Sequence, residues 1–178
     1  MAWGQEYGAP WRYTHDLLAT MACGMPSGII LNVGAGPVKA WRKLCQRFKK
    51  WMIVQTDAVW FDGLGAQANI EALPFASGSF AGVFCVAVLE HVRRPWLTFG
   101  EMGRVLVEGG LLLVIAPWMW QRHMENDFWR FHEHAYEILA DGTGLNVMKT
   151  GMYMPMARKS RKSGCWVDSW AILCKGRT

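Results

Sequence analysis

The chain lacks the features that would place it in a membrane or in an oxidising compartment. Its longest apolar run, Leu111–Met119, falls far short of the ~20 residues that cross a bilayer. It opens MAWGQEYGAPWRYTHD, without the basic segment and apolar run of a secretory leader. The five cysteines (Cys23, Cys45, Cys85, Cys165 and Cys174) are odd in number, and no two are spaced C-x-x-C. Neither a disulfide framework nor a zinc site follows, and a reducing cytoplasm is the expected location. Charge is also sparse: 19% of residues are charged against 52% apolar, which excludes a disordered chain. No internal repeat, low-complexity stretch or linker divides the 178 residues, a length that suits one domain.

What the chain has in excess is aromatic and basic. Eleven Trp and eleven Met suit a Trp-rich core or an aromatic cleft for an organic substrate. The net charge is +5, with much of the excess late, in Arg158, Lys159, Arg161 and Lys162, then Lys175 and Arg177. Such a cluster is a solvated loop or a surface for nucleic acid, anionic lipid or an acidic substrate.

Apolar runs alternate with helical patterns. Ile29–Val33 is a β-branched run that ends in Gly34-Ala35-Gly36, and Pro37 suits the first turn of a helix. Trp41, Leu44, Cys45 and Phe48 give that helix one apolar face. Met52–Gln55 reads as a second strand that ends at Asp57, and Gln67–Ile70 as a short third. Phe80–Val88 is nearly continuous in apolar residues, the pattern of a parallel strand covered on both faces. Pro95 opens a helix with Trp96, Phe99, Gly103 and Leu106 on one side and Gly109-Gly110 at its end. Leu111–Ala116 is a fifth buried strand. A helix over Glu133–Asp141 places Phe131, Ala135, Ile138 and Leu139 toward the core. Leu145–Tyr153 and Cys165–Cys174 then form two strands joined by the basic loop. With no helix between them they should be antiparallel. The sum is an α/β fold with a mostly parallel seven-stranded sheet and a C-terminal antiparallel hairpin. The segment with Trp3, Tyr7, Trp11 and Tyr13 packs as a helix or folds over the site as a lid.

In such a sheet, ligands bind beyond the carboxyl ends of the strands, where strand order reverses. The first strand–helix turn is Asn32-Val33-Gly34-Ala35-Gly36-Pro37, whose glycines allow a ligand close to the backbone. The dinucleotide fingerprint needs a third glycine where this chain has Lys39, and no Gly-Lys-Ser/Thr follows for a phosphate loop. Asp57, about 20 residues past the turn, can accept protons from both ribose hydroxyls.

Three further segments arrive in order. They are Asn69-Ile-Glu71-Ala-Leu-Pro74-Phe75; Ser79-Phe80 leading into Cys85-Val-Ala-Val-Leu89-Glu90-His91-Val92; and Arg104-Val-Leu106 with Gly109-Gly110-Leu111. With them the chain resembles the class I S-adenosylmethionine-dependent methyltransferases. The likeness is nearest to the small family related to ubiquinone and menaquinone biosynthesis methyltransferases (type 11). Their pattern reads D-x-G-C-G-x-G, an acidic strand end, D-A-x-x-L-P-F, S-F-D-x-V, L-E-H-V and R-V-L-K-P-G-G. The resemblance covers Ile29–Pro117, and Asn126-Asp-Phe-Trp-Arg-Phe131 is similar to a D-Y-W-R-F-T stretch of some members.

The resemblance implies one Rossmann-like domain with helices on both faces of its sheet. Residues 1–28 would be an N-terminal helical or lid segment, 29–144 the cofactor-binding core, and 145–178 the hairpin. It implies S-adenosylmethionine as cofactor, with Asn32, Gly34, Ala35 and Gly36 beside its amino-acid part and Asp57 on its ribose. Asn69 would meet the adenine amino group and Ile70 would pack near the ring, with Cys85 and Val86 near the methyl group. Four positions depart from the family pattern. Asn32 and Asn69 replace acids, Val38 takes the place of a third glycine, and Ala81 replaces the Asp after Ser-Phe.

Methyl transfer requires no fixed catalytic residue unless the acceptor must lose a proton. His91 and His123 are the candidates for the acceptor side, and Trp120 and Trp129 for its walls. His132 and His134 flank a helix start, and i, i+2 neighbours point to different faces of a helix, so no metal site is expected there. The acceptor is expected to be a small or medium organic molecule. One rival is a degenerate module that binds the cofactor or a partner without catalysis, motivated by the four departures. Another is a nucleic-acid methyltransferase, motivated by the basic loop. Against it, Val86–His91 lacks the (N/D/S)-P-P-(Y/F/W) stretch of base-amino methylases.

Overall fold

The computed structural model describes residues 10–37, 51–153 and 167–177. The expected helix after Pro37, with Val38, and the basic loop Arg158–Lys162 lie outside these residues, as do Trp3 and Tyr7.

Seven strands form one sheet: β1 (Ile29–Val33), β2 (Met52–Asp57), β3 (Ala66–Gln67), β4 (Phe80–Val86), β5 (Leu106–Pro117), β6 (Leu145–Tyr153) and β7 (Asp168–Lys175). Their order across the sheet is β3-β2-β1-β4-β5-β7-β6. The pairs from β3 to β5 are parallel, whereas β7 runs antiparallel to both β5 and β6. The last two strands therefore do not extend the edge in sequence order. β7 slots in beside β5 and leaves β6 outermost.

Side chains alternate between two cores, as strand geometry requires. Leu31, Val33, Val83, Cys85, Leu112 and Val114 face one way and meet Phe99 and Met102 of α2 (Pro95–Val105) and Tyr136 and Ala140 of α3 (Ala135–Ala140). Ile30, Phe84, Leu113, Ile115, Trp170 and Ile172 face the other way and meet Leu17, Leu18 and Met21 of α1 (Pro10–Gly24). Covering both faces explains why β4 and β5 read as continuous apolar runs rather than alternating ones. Ala81, where the resemblance expects an acid, sits in the second core, its Cβ 3.0 Å from the place a Gly28 side chain would take.

Three expectations are corrected. Trp96 and Ile138 are exposed; the buried stripe of α2 is Pro95, Thr98, Phe99, Met102 and Gly103, and that of α3 is Tyr136 and Ala140. Gly109-Gly110 does not end a helix. α2 stops at Val105, β5 begins at once, and the glycines form an irregular stretch where pairing jumps from Phe80–Leu106 to Gly82–Leu111. Gly109 has φ +74°, and a side chain on Gly110 would lie 2.8 Å from the Val107 carbonyl oxygen, so the chain can only bend back here through glycine. The third strand is also shorter than Gln67–Ile70, because Asn69–Ala72 closes into a turn.

Two motifs of the sequence tie the loop after β3 to α2. Arg104 donates to the carbonyls of Phe75 (2.8 Å) and Leu73 (3.0 Å), and Glu101 accepts from the Leu73 N–H at 2.7 Å. Glu71 is paired to Arg94 in the same way, at 2.8 Å from its Nε. The Leu-Pro-Phe and Arg-Val-Leu segments are thus two halves of one clamp.

Candidate active site

Strand order reverses between β1 and β4, and a cavity of about 670 Å³ opens there, at the carboxyl ends of β1, β2, β4 and β5. Its floor is the turn after β1. Gly34 has φ +61° and lies against Val88 so closely that a side chain would come within 2.3 Å of it. Gly36 has φ +59°, and a side chain there would meet nothing within 4 Å and enter the opening. The first glycine lets the turn pack; the second leaves bare backbone beside the space a ligand needs.

Asp57, at the end of β2, holds this turn in place. Its Oδ2 accepts from the Gly36 N–H at 2.8 Å and its Oδ1 from the Val59 N–H at 3.0 Å. Each oxygen keeps a further lone pair, and the residue lines the cavity. Asn69 and Ile70 line the same wall. The Asn69 Oδ1 accepts from the Glu71 N–H at 3.0 Å, so the amide is fixed by its own turn. Val86 closes β4, and Ala87 follows with φ +54°, its N–H donating to the Ile115 carbonyl at 2.9 Å. That left-handed residue turns the chain beneath the centre of the cavity.

The far side is polar and largely buried. Glu90 is 1% exposed, and burial pushes its carboxyl up to about 8. Asp168, at the start of β7, is likewise pushed up to about 7 by burial, opposed by the Trp120 indole beside it. His91 and His123 face each other edge to face, with ring centroids 5.1 Å apart. The His91 Nδ1 donates to the Asn126 carbonyl at 3.0 Å. The His123 Nδ1 lies 2.8 Å from Asp127. Burial lowers the His123 pKa, with Asp127 pulling the other way. Asp127 is gripped by Arg130, which also donates to the Trp120 carbonyl at 2.9 Å; this guanidinium holds the carboxyl well below its ordinary range.

Residues 31–114 match the family model described as "Methyltransferase domain". That stretch is similar to a methyltransferase domain over just under half of the chain. Among curated proteins no sequence matches it. Similar solved structures include an S-adenosylmethionine-dependent methyltransferase from Methanosarcina mazei (14% identity, TM-score 0.68, 89% of this chain and 98% of that chain). Another is phosphoethanolamine N-methyltransferase 2 of Haemonchus contortus, solved with phosphomonomethylethanolamine and S-adenosylhomocysteine (12% identity, TM-score 0.70, 94% and 53%). A third is the 4+2 cyclase SpnF (13% identity, TM-score 0.67, 99% and 86%). At such identities the likeness shows the fold alone: the class I methyltransferase fold.

Of the expected site residues, Gly34, Ala35, Gly36, Asp57, Asn69, Ile70 and Val86 lie on the cavity wall with His91, His123 and Trp120. Three expected residues do not. Cys85 is fully buried in the first core, because strand alternation turns it away from the wall that Val86 meets. Asn32 is 1% exposed and shares the Ile30 face of β1; neither its Nδ2 nor its Oδ1 has a partner among the described residues. Trp129 turns outward, its indole N–H donating to the Val92 carbonyl at 2.9 Å and its ring set edge-on to Trp96. His132 and His134 precede α3 instead of lying within it, so their rings stack at 5.1 Å and do not diverge. Glu90 was visible in the sequence only as a motif letter. Asp168 carried no local signal, since β7 brings it in from a distant part of the chain. Thr14 places α1 on the cavity rim.

Proposed function

We propose that the chain transfers a methyl group from S-adenosylmethionine to a small or medium organic acceptor. The observation that carries the reading is the placement of a bare glycine turn, Asp57 and the Asn69–Ile70 turn on one cavity wall at the sheet's switch point. The residues fit the cofactor. Gly36 leaves an opening that a side chain would fill, and Asp57 keeps acceptor capacity for two ribose hydroxyls after holding the turn. The Asn69 Oδ1 has a second lone pair for the adenine amino group. Asn32 offers an unpartnered amide beneath the turn.

The cofactor would supply the reactive sulfonium methyl; the protein supplies position and electrostatics. Val86 and Ala87, at the end of β4, would line the cavity beside the reacting centre. Trp120, His91 and His123 bound the side from which an acceptor approaches. In-line displacement needs the acceptor atom held a little over ~3 Å from the methyl carbon, which a rigid wall achieves. The Asp127–Arg130 pair supplies that rigidity by locking the segment that carries Trp120 and His123.

The test is incubation with methyl-labelled cofactor and a panel of hydroxyl-, amine-, thiol- and carboxyl-bearing small molecules. Acceptor-dependent formation of S-adenosylhomocysteine and a labelled product is expected. Tight cofactor binding without turnover on any acceptor would favour the second reading, a non-catalytic binding module. Asn32 and Asn69, amides where the family pattern has acids, are the observation behind that alternative.

A further inference from the structure

Walling the acceptor side leaves the polar atoms of three side chains there without a task. Glu90 and His91 come from the helical turn after β4, and His123 from the segment after β5. Each offers one ligand atom such that the three atoms lie within 4.8 Å of one another, and all three residues line the cavity. The Glu90 side chain is 2% exposed, yet its Oε2 has no hydrogen-bond partner. The His91 Nε2 is buried without one as well, 3.7 Å from the Glu90 Oε1. A buried carboxyl oxygen and a buried imidazole nitrogen on adjacent residues, both without a partner, are costly unless something joins them.

The rings are also oriented from behind. The His91 Nδ1 meets the Asn126 carbonyl, which can only accept, so this nitrogen carries the hydrogen and Nε2 presents a lone pair. The His123 Nδ1 lies against the Asp127 carboxylate, itself fixed by Arg130. The carbonyl bonded behind His91 fixes its tautomer and direction, as in metal-ligating histidines; the Asp127 carboxylate stands 2.8 Å from the His123 Nδ1 in ion-pair contact, outside hydrogen-bond geometry.

We propose that Glu90, His91 and His123 bind a divalent transition-metal ion of the zinc type, with its open coordination position facing the cavity. Two imidazoles and one carboxylate form a donor set suited to zinc, and three protein ligands leave a fourth place for a bound molecule. Ligands about 2.1 Å from zinc sit about 3.4 Å apart in a tetrahedral site. Side-chain rotations that draw the three groups together by up to about 1.4 Å would complete it. An acceptor hydroxyl, amine or thiol held at the open position would lose its proton more readily. That last step alone rests on the methyl-transfer reading; metal binding does not.

The test uses the full chain, stripped with chelator and dialysed against zinc with no cofactor present. One equivalent of retained zinc is expected, with cobalt giving a visible absorption band of low-symmetry coordination. In the parent chain, zinc should shift the imidazole resonances of His91 and His123 and leave those of His132 and His134 in place. This readout needs no variant to fold. H91A, H123A and E90Q should each weaken retention at least tenfold, whereas the H132A/H134A pair should not. That pair controls for the cluster His132, Glu133 and His134, whose ligand atoms also lie within 4.8 Å. No retained equivalent, resonance shifts confined to His132 and His134, or retention unchanged in both H91A and H123A would overturn the proposal.

Discussion

Replacing Asp57 by alanine separates a ligand-binding carboxylate from a turn residue, because the structure gives it both roles. On the structural side, the change removes acceptors from two backbone N–H groups, Gly36 and Val59. Both lie near the opening and can turn to water, so the cost is about 0.5–1.5 kcal/mol each. On the ligand side, two charge-assisted hydrogen bonds to ribose hydroxyls go, worth roughly 1.5–3 kcal/mol each. Even at the low end, about 3 kcal/mol corresponds to a Kd raised roughly 100-fold. Calorimetric titration with S-adenosylhomocysteine, paired with thermal unfolding followed by circular dichroism, reads both sides. The expected outcome is a chain still folded at 25 °C with cofactor affinity down by two orders of magnitude or more. D57N adds a second reading: it keeps the shape but turns one acceptor into a donor, so it should also bind weakly. A Kd for D57A within about threefold of the parent would refute the reasoning and leave Asp57 as a turn residue only.

G34A should destabilise strongly, since φ +61° is unfavourable for alanine and its methyl would come within 2.3 Å of Val88. Adding V88A should restore part of the melting temperature by removing the clash, and no restoration would place the strain in the backbone alone. Y136F removes a buried hydroxyl that reaches the Ser169 Oγ at 2.8 Å and the Ser169 carbonyl at 3.1 Å. A loss of about 1–2 kcal/mol follows, or roughly 2–8 °C in Tm, without change in cofactor affinity. Asp168 gives a pH dependence. Because burial raises its pKa to about 7, folding favours its protonated form. Its penalty is absent below about pH 4, where the unfolded chain also holds the proton, and grows as pH rises toward 7. Stability should therefore decline over that window in the parent and decline less in D168N; parallel profiles would contradict the assignment.

The sheet was legible because its strands are either apolar throughout or bounded by glycine, and because the motif segments arrive in chain order. What the letters L-P-F and R-V-L do was not legible. Only the folded chain shows Arg104 clamping the carbonyls of Leu73 and Phe75. The same holds for Asp127 and Arg130, two letters of a motif that close into an ion pair fixing Trp120 and His123. Facing errors came where periodicity is weak. A six-residue helix such as α3 gives too few turns to tell Ile138 from Tyr136, and a one-residue difference at a strand end decides between Cys85 and Val86. Asp168 was beyond reach, because its place at the cavity depends on β7 inserting between β5 and β6.

The most direct test of the account is a calorimetric titration of the parent chain with S-adenosylhomocysteine. A single site with a Kd on the order of micromolar, about −8 kcal/mol, is the predicted result. No measurable heat with ligand at about 1 mM, where even binding of about −4 kcal/mol would register, would contradict it.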